Sequence, residues 1–386
     1  MNQSLNLFVT GITGTVGNEI LRYLMQHHRN DQVYFLIRSS SQNHLKLRWD
    51  RVLSTASDNT VAVDDIPNFK PVSGNIIEEN LGLEESIKEH LVNHVTHIIH
   101  AAGNISFTAP FDISRRDNVD GTRHVLDFAQ ACKNLKQLAH ISTIFVAGKR
   151  SGSIFENELE HDEGFASTYE QTKYEAEILV RKRMSQLPLA MYRLALLPGR
   201  SDGYIHHYGV FHQGLQFYYY GLIPVFPGDK DAFIDLCPAD QATNTLMDLF
   251  LKNFEHGRTY HICRGSKAIP MHRLAEIMTE VYSETLLAWK RGDHSIPDFV
   301  NESTYKLFEK SVIETQDSTF LKVVKIMNTM IPHLLNPKQF QNPTFVKLNE
   351  NSMCTEEFFK KVLHTCVASD WGRKVVAQKE IAYDKA

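Results

Sequence analysis

The sequence has little of what would take a protein out of a reducing, aqueous compartment. Its five cysteines, Cys132, Cys237, Cys263, Cys354 and Cys366, are far apart, odd in number and form no CxxC pair. That pattern argues against a disulfide framework and against a thiolate metal site. No uninterrupted apolar run approaches the roughly 20 residues of a membrane-spanning helix. Charge of one sign is not in excess: 41 basic against 45 acidic residues give a formal net charge of −4, and the basic ones are scattered. Nothing in that balance selects nucleic acid as a ligand. The first glycine-rich turn starts at Gly11, too early to leave room for a cleavable signal peptide ahead of it. The expectation is a cytoplasmic protein without a metal, with a peripheral membrane contact left open. Its 386 residues, 42% hydrophobic and 22% charged, describe an ordinary globular chain. That length accommodates one large α/β unit with an appended region, or two domains.

The chain is organised around Thr10-Gly11-Ile12-Thr13-Gly14-Thr15-Val16-Gly17. An apolar run, Leu5 to Val9, precedes it, and a helical apolar spacing follows from Asn18 to Leu24. Strand, glycine turn and helix together make a dinucleotide-binding pattern. The first glycine permits a tight bend, the second a close approach of pyrophosphate, and the third close packing of helix on strand. The helix start offers unpaired N–H groups and its positive dipole end to phosphate. A second strand, Val33 to Ile37, ends in Arg38-Ser39-Ser40-Ser41. An NAD site usually carries an acidic residue there for the ribose hydroxyls. A guanidinium among hydroxyls suits the additional phosphate of NADP(H), so NADP(H) is expected ahead of NAD(H).

Further along, Leu45 to Leu53 predicts a helix, 54–68 a polar loop, and Phe69 to Ser73 a third strand before Gly74-Asn75. A helix over 84–92 and a strand from Val95 to His100 follow. That strand runs into Ala101-Ala102-Gly103, small residues that let a cofactor approach the sheet edge. Arg116 to Cys132 reads as a helix in which Gly121 carries a propensity penalty, a sign of close packing.

The strand Leu138 to Ser142 leads to Thr143, and an acidic loop over 156–163 then precedes Tyr169-Glu170-Gln171-Thr172-Lys173. Tyr169 and Lys173 are four apart, so both side chains face the same way from one helix. An ammonium beside a phenol favours the phenolate and improves the tyrosine as a proton carrier. Thr143 can hydrogen-bond the same carbonyl or alkoxide oxygen. Leu189 to Leu194 gives a sixth strand, and Tyr260 to Cys263 a short further one. Between them, 205–220 holds His206, His207 and His212 among aromatics. Their spacing does not fit a zinc motif, and the aromatics suit a substrate cleft or a cover for the sheet. After about 265 the pattern is helical, broken by Gly292, Pro297, Pro332 and Pro337. Phe320 to Leu335 is amphipathic and serves as core, lid or membrane-surface contact. The polar tail past Ala368 is expected to fray.

With these residues in view, the chain resembles the extended short-chain dehydrogenase/reductases. More narrowly it resembles the thioester reductase and fatty acyl-CoA reductase branch, the male-sterility-type NAD-binding family. The Gly11–Gly17 turn, Val33–Arg38, Leu81-Gly82-Leu83, His100-Ala101-Ala102 and Asn118-Val119-Asp120-Gly121-Thr122 carry that likeness. So do Ser142-Thr143, Tyr169–Lys173 with Ala176-Glu177, Pro227-Gly228-Asp229, Asp235 and Pro238-Ala239-Asp240. The likeness covers about 5–285. It implies a Rossmann-type doubly wound parallel sheet over 1–200, with sheet elements returning around 230–265. A smaller, mainly helical substrate-binding region over 201–386 would complete the molecule. It further implies that Gly11, Thr13, Gly14 and Gly17 hold the pyrophosphate, that Thr15 and Val16 also bind the cofactor, and that Arg38 meets the 2′-phosphate. Asn75 would lie near the adenine, and Ala101 and Ala102 beside the dinucleotide. Thr143, Tyr169 and Lys173 match the family's catalytic triad, and Asn118 the helix asparagine of its proton path. The sequence departs from the family at Thr15, where an aromatic is usual, and at Asn75, where Asp is common. Arg193-Leu194-Ala195-Leu196 stands where Arg-Pro-Gly is usual.

The activity implied is NADPH-dependent reduction of an acyl thioester, on coenzyme A or a carrier protein, to aldehyde or alcohol. The same triad also serves an extended short-chain epimerase or dehydratase, or a ketoreductase, acting on a nucleotide sugar or small ketone. A non-catalytic NADP(H)-binding protein is the remaining alternative. Oligomeric state stays open.

Overall fold

The computed structural model describes residues 5–58, 60–62, 65–284, 296–350 and 353–374. Seven strands form one sheet: β1 (Asn6–Thr10), β2 (Gln32–Ile37), β3 (Phe69–Ser73), β4 (His97–His100), β5 (Gln137–Thr143), β6 (Leu189–Leu194) and β7 (Thr259–Ile262). Their spatial order is β3-β2-β1-β4-β5-β6-β7, and every neighbouring pair is parallel. Parallel strands need crossovers, and helices supply them on both faces. Along β1, Leu7 and Val9 point to one face and Phe8 to the other, as the two-residue period of a strand requires. The Leu7 face is covered by α1 (Thr15–His27), α2 (Gln42–Ala56) and a later helix, Ala239–Lys252, through Ile20, Leu24, Trp49, Leu53, Leu246 and Phe250. The Phe8 face is covered by α3 (Glu85–His94), the helix Gly121–Ala131 and the helix Thr168–Arg183, through Leu91, Val125, Phe128 and Val180.

Chain order reverses between β1 and β4. In such sheets the crevice beyond the strands' C-terminal ends at that reversal is where ligands bind. Two local features shape its rim. The short helix α4 (Phe111–Arg115) runs through a π turn at Arg116–Asp120 into α5 (Gly121–Ala131). A Cβ on Gly121 would lie 2.8 Å from the Ile76 side chain, which accounts for a glycine inside a helix. Helix α6 (Thr168–Arg183) is started by Ser167, whose hydroxyl accepts from the Glu170 N–H.

A separate apolar cluster is built by α7 (Val210–Tyr219), α9 (Met271–Glu284), α11 (Ser318–Leu335) and α13 (Thr355–Ala368), with α8 (Ala239–Lys252) remaining on the sheet. The strand Val225–Pro227, which pairs with Asp298–Val300, and α10 (Glu302–Thr315) complete this region. Helix α11 buries Val323, Val324, Met327, Ile331 and Leu334, so its apolar face is core rather than a surface left for lipid. Pro332 sits within this helix and does not end it. The chain then returns to the sheet region. Lys338–Phe340 pairs with Gly152–Ile154, and Phe340 and Phe345 of α12 (Pro343–Leu348) join the core under the sheet. Past Ala368, Trp371 is buried and its N–H donates to the Cys366 carbonyl at 2.8 Å, so the expected fraying does not begin there. Gly292 and the last twelve residues lie outside the described residues. Among the described residues no helix is long and apolar enough to cross a membrane.

Candidate active site

The glycine turn closes over the C-terminal end of β1. Gly11 has φ +83°, and a Cβ there would lie 2.5 Å from the Ala101 carbonyl carbon. A Cβ on Gly17 would lie 2.2 Å from the Gly11 carbonyl oxygen, so α1 packs against the turn at a distance only glycine permits. Gly14 caps α1 without a side-chain hydrogen bond, which leaves the helix start open to an anion. From this turn a cavity of about 350 Å³ extends past Arg38, Asn75, Ala101 and Ala102, and Thr13, Thr15 and Val16 line it as well. The long shape, the glycine cradle and the open helix start fit a dinucleotide.

One lining residue was not legible in the sequence. Arg48, on α2, joins Arg38 in this cavity, and its Nη1 donates to the Arg38 carbonyl at 2.5 Å. Burial, and then the like charges of Arg38 and Arg51, hold its guanidinium below the ordinary arginine value. Only its basic character marked it, because helix position alone does not say which arginine turns inward.

A second cavity of about 250 Å³ adjoins the first; Thr15, Val16, Ala101, Ala102, Gly103, Ile105 and His207 line both. Thr143, Tyr169, Lys173 and Asn118 converge on it from β5, α6 and the π turn. The Thr143 hydroxyl is hydrogen-bonded to the Tyr169 phenol and accepts from the Phe145 N–H at 3.2 Å. Burial pushes the Tyr169 phenol up to about 12; the bond to Thr143 opposes this and the Glu170 carboxylate adds to it. The expected stabilisation of phenolate by Lys173 is therefore not what this geometry gives. Lys173 Nζ is turned to the Ile141 carbonyl at 2.9 Å, and burial lowers the ammonium to about 8, against the pull of Glu177. The phenol thus keeps its proton near neutral pH, and Lys173, bonded to the Ile141 carbonyl, is not among the groups that shift it.

Asn118 is fixed rather than free. Its Nδ2 donates to the Asn104 carbonyl at 3.0 Å and to Thr172 at 2.9 Å, and its Oδ1 accepts from the Asn104 N–H at 2.7 Å. Behind the site His100 bridges Thr10 at 2.9 Å and Thr122 at 3.1 Å. Burial, with Lys173 second, lowers His100 to about 3, so it is a neutral bridge that ties β1, β4 and α5 together. Glu177, one turn beyond Lys173 on the same face of α6, is held below the ordinary carboxylate range. Burial, the largest single influence, would raise it, and the charge and hydrogen bonds (2.8 Å) of Arg193 on β6, with Ser142 and Arg181, together outweigh burial. Arg193, which stands in the segment that departs from the family, is thus a strut of α6.

The three histidines go to separate places: His206 to Glu19 at 2.5 Å, His207 to the Thr13 carbonyl at 3.2 Å, and His212 to the Pro198 carbonyl at 2.7 Å. Among the described residues no group of three or more His, Cys, Asp or Glu is placed to hold a metal ion.

The wall opposite the triad is apolar. Val210, Phe211 and Met330 line the Thr143–Tyr169 cavity and also a third one of about 90 Å³ between α7, α9 and α11. Its other walls include Leu215, Tyr218, Leu274, Met278, Met327 and Ile331. Aromatic contacts continue the wall around the phenol, from Tyr169 to Phe107 at 5.0 Å, Phe107 to Phe145 at 5.7 Å and Phe145 to His333 at 4.9 Å. Met330 and His333 come from α11, which the sequence left between core, lid and membrane contact.

Residues 9–246 match the male sterility protein family, an NAD-binding family. Among curated relatives, the fatty acyl-CoA reductase wat of Drosophila melanogaster is 25% identical over 280 residues, covering 62% of this chain and 53% of that protein. A linear gramicidin synthase of Brevibacillus parabrevis is 31% identical over 202 residues, 50% of this chain and 4% of that protein. The chain thus spans about half, or less, of the length of these relatives. Among solved structures, the terminal R domain of the myxalamid biosynthetic pathway superposes with a TM-score of 0.77 at 22% identity, covering 96% of this chain and 92% of that one. That likeness extends the Rossmann-type fold to nearly the whole chain, helical region included. By the match over 9–246 and the fold around it, the chain belongs to the male sterility protein family.

Proposed function

We propose that this protein reduces an acyl thioester with NADPH, releasing a thiol and an aldehyde that a second reduction can take to the alcohol. The observation that carries the reading is the shared wall of Val210, Phe211 and Met330, which sets the Thr143–Tyr169 cavity directly beside a wholly apolar one. A hydrocarbon chain fits such a wall, whereas the diphosphate of a nucleotide sugar would lose its hydration there without replacement. The relatives named as fatty acyl-CoA reductases support the substrate class, and the coenzyme A or carrier arm is the expected partner.

NADPH, when bound in the joined cavities, would supply the hydride. Thr143 and Tyr169 would hold the carbonyl oxygen with two hydroxyl donors and stabilise the charge that develops on it. Tyr169 would give its proton to that oxygen, and its high pKa keeps the proton available. Lys173 would hold the nicotinamide-side ribose, and Asn118 would fix the α6 face through Thr172. Arg38 and Arg48 together favour the cofactor with a 2′-phosphate. Two guanidiniums that repel each other are relieved by a dianion between them. Gly11, Thr13, Gly14, Thr15, Val16 and Gly17 would carry the pyrophosphate, Asn75 would border the adenine, and Ala101 and Ala102 would floor the passage between cavities. We divide the chain into a dinucleotide-binding unit over 1–200 with later sheet elements, and a substrate-binding region beyond it. Residues 338–348 belong with the first unit.

The test is NADPH oxidation with acyl-CoAs, acyl carrier thioesters, ketones and nucleotide sugars, each alone. Turnover confined to thioesters is expected. Turnover of a ketone or sugar with every thioester inert would overturn the proposal.

A further inference from the structure

The loop over 199–209, which follows β6, reaches from the substrate region back across the glycine turn. It is tied at several points. His206 Nε2 meets Glu19 Oε1 of α1 at 2.5 Å, both side chains almost fully buried, and Arg200 Nε lies 3.9 Å from the same oxygen. The ring of Tyr204 packs edge-on against His206 with centroids 5.0 Å apart. Ser201 N–H donates to Asp240 at 2.8 Å, and the Pro198 carbonyl accepts from His212 at 2.7 Å. The result is a strap with little freedom, held to α1 at one end and to α7 and α8 at the other.

His207, next to the buried anchor, is an exposed residue of this strap. Its Nε2 lies 3.2 Å from the Thr13 carbonyl, in the middle of the glycine turn, and its ring lines both the 350 Å³ cavity and the 250 Å³ one. The strap is anchored by its neighbours, so the bond of the exposed His207 ring to the Thr13 carbonyl is not needed to hold it. It stands at the junction that any molecule occupying both cavities must pass.

We infer that His207 is a direct contact of the dinucleotide's nicotinamide-side phosphate and ribose, held in place by the Glu19–His206 anchor. The inference rests on the reading that the joined cavities take a nicotinamide dinucleotide. The His207 Nε2–H, donated to the Thr13 carbonyl here, can exchange that neutral bond for one to an anionic oxygen of the dinucleotide, and such a bond to a charged group is worth about tenfold or more in affinity. The adenosine end, at Arg38, Arg48 and Asn75, lies beyond its reach along the cavity and should not sense it.

The test is calorimetric titration of the full chain and its His207→Ala variant with NADPH and with 2′,5′-ADP. The latter keeps the adenosine end and lacks the nicotinamide half. Because His207 is exposed, the variant should unfold at the same temperature as the parent in the absence of ligand. The expected result is about tenfold weaker binding of NADPH with 2′,5′-ADP within twofold of the parent. Unchanged NADPH affinity, or an equal loss for both ligands, would overturn the inference and leave the cofactor reading standing. Failure of the parent itself to bind NADPH would instead overturn the cofactor reading, and the inference with it.

Discussion

Tyr169 and Lys173 show how burial reverses an intuition drawn from spacing. The four-residue separation correctly puts them on one face of α6, but a shared face does not make them an interacting acid and base. Burial raises the phenol to about 12 and lowers the ammonium to about 8. Tyr169→Phe should therefore cost roughly 10²- to 10⁴-fold in kcat, the range for a general acid, while NADPH binding measured by fluorescence stays within threefold. Unchanged turnover would remove Tyr169 from the chemistry. The Lys173 ammonium is lowered in the folded protein, so its charged form is lost as pH rises through about 8. If the ammonium holds the ribose, kcat/KM should fall above that pH, and Lys173→Arg should move the falling limb upward. A flat profile across that range would mean the charge is not used. At the other end of the cavity, Arg48→Ala should weaken NADPH by roughly ten- to hundredfold and leave NADH almost untouched, as loss of a charge-assisted bond predicts. Equal losses for both cofactors would place Arg48 outside the 2′-phosphate site.

Two elements carry consequences larger than any one side chain. On α7, Gly214 lines the apolar cavity, and a Cβ built there meets no heavy atom within 4 Å. Gly214→Leu should fold well, since leucine is favoured over glycine in a helix by about 0.8 kcal/mol, yet it should fill the cavity. KM for a long-chain acyl-CoA should rise at least about tenfold while acetyl-CoA is unaffected, as expected for burial energy confined to the chain. A parallel change in both substrates would mean that the chain lies elsewhere. Between β6 and α6, the Arg193–Glu177 pair is almost fully buried. Arg193→Met leaves a carboxylate without its partner and should cost about 3–5 kcal/mol by urea unfolding, whereas replacing both groups with apolar ones should recover most of it. Glu177 is held low, so the stability it contributes is present above its unfolded value of 4.5 and lost as the pH falls through its lower folded value.

Over the whole molecule, what the sequence disclosed follows the range of the interactions involved. The β1–turn–α1 unit, the strands and the Thr143, Tyr169 and Lys173 grouping are written in local patterns, with periods of two or near four and glycines at fixed offsets. The cavity lining by Arg48, His207 and Met330 depends on which way α2, the strap and α11 turn once packed, and no short-range pattern encodes that. The return of residues 338–348 to the sheet is likewise a long-range pairing, of Lys338–Phe340 with Gly152–Ile154. Membership of the male sterility protein family and the fold set an NAD-binding crevice beside the Thr143–Tyr169 cavity. On our proposal, the apolar wall from α7 and α11 receives the acyl chain of the substrate. The most direct test is to add a long-chain acyl-CoA to the enzyme with NADPH and to follow nicotinamide absorbance and free thiol in the same sample. Thiol release that requires NADPH is expected, with one hydride consumed per thiol if reduction stops at the aldehyde and two if it proceeds to the alcohol. NADPH consumption without thiol release, or thiol release without NADPH, would contradict acyl thioester reduction.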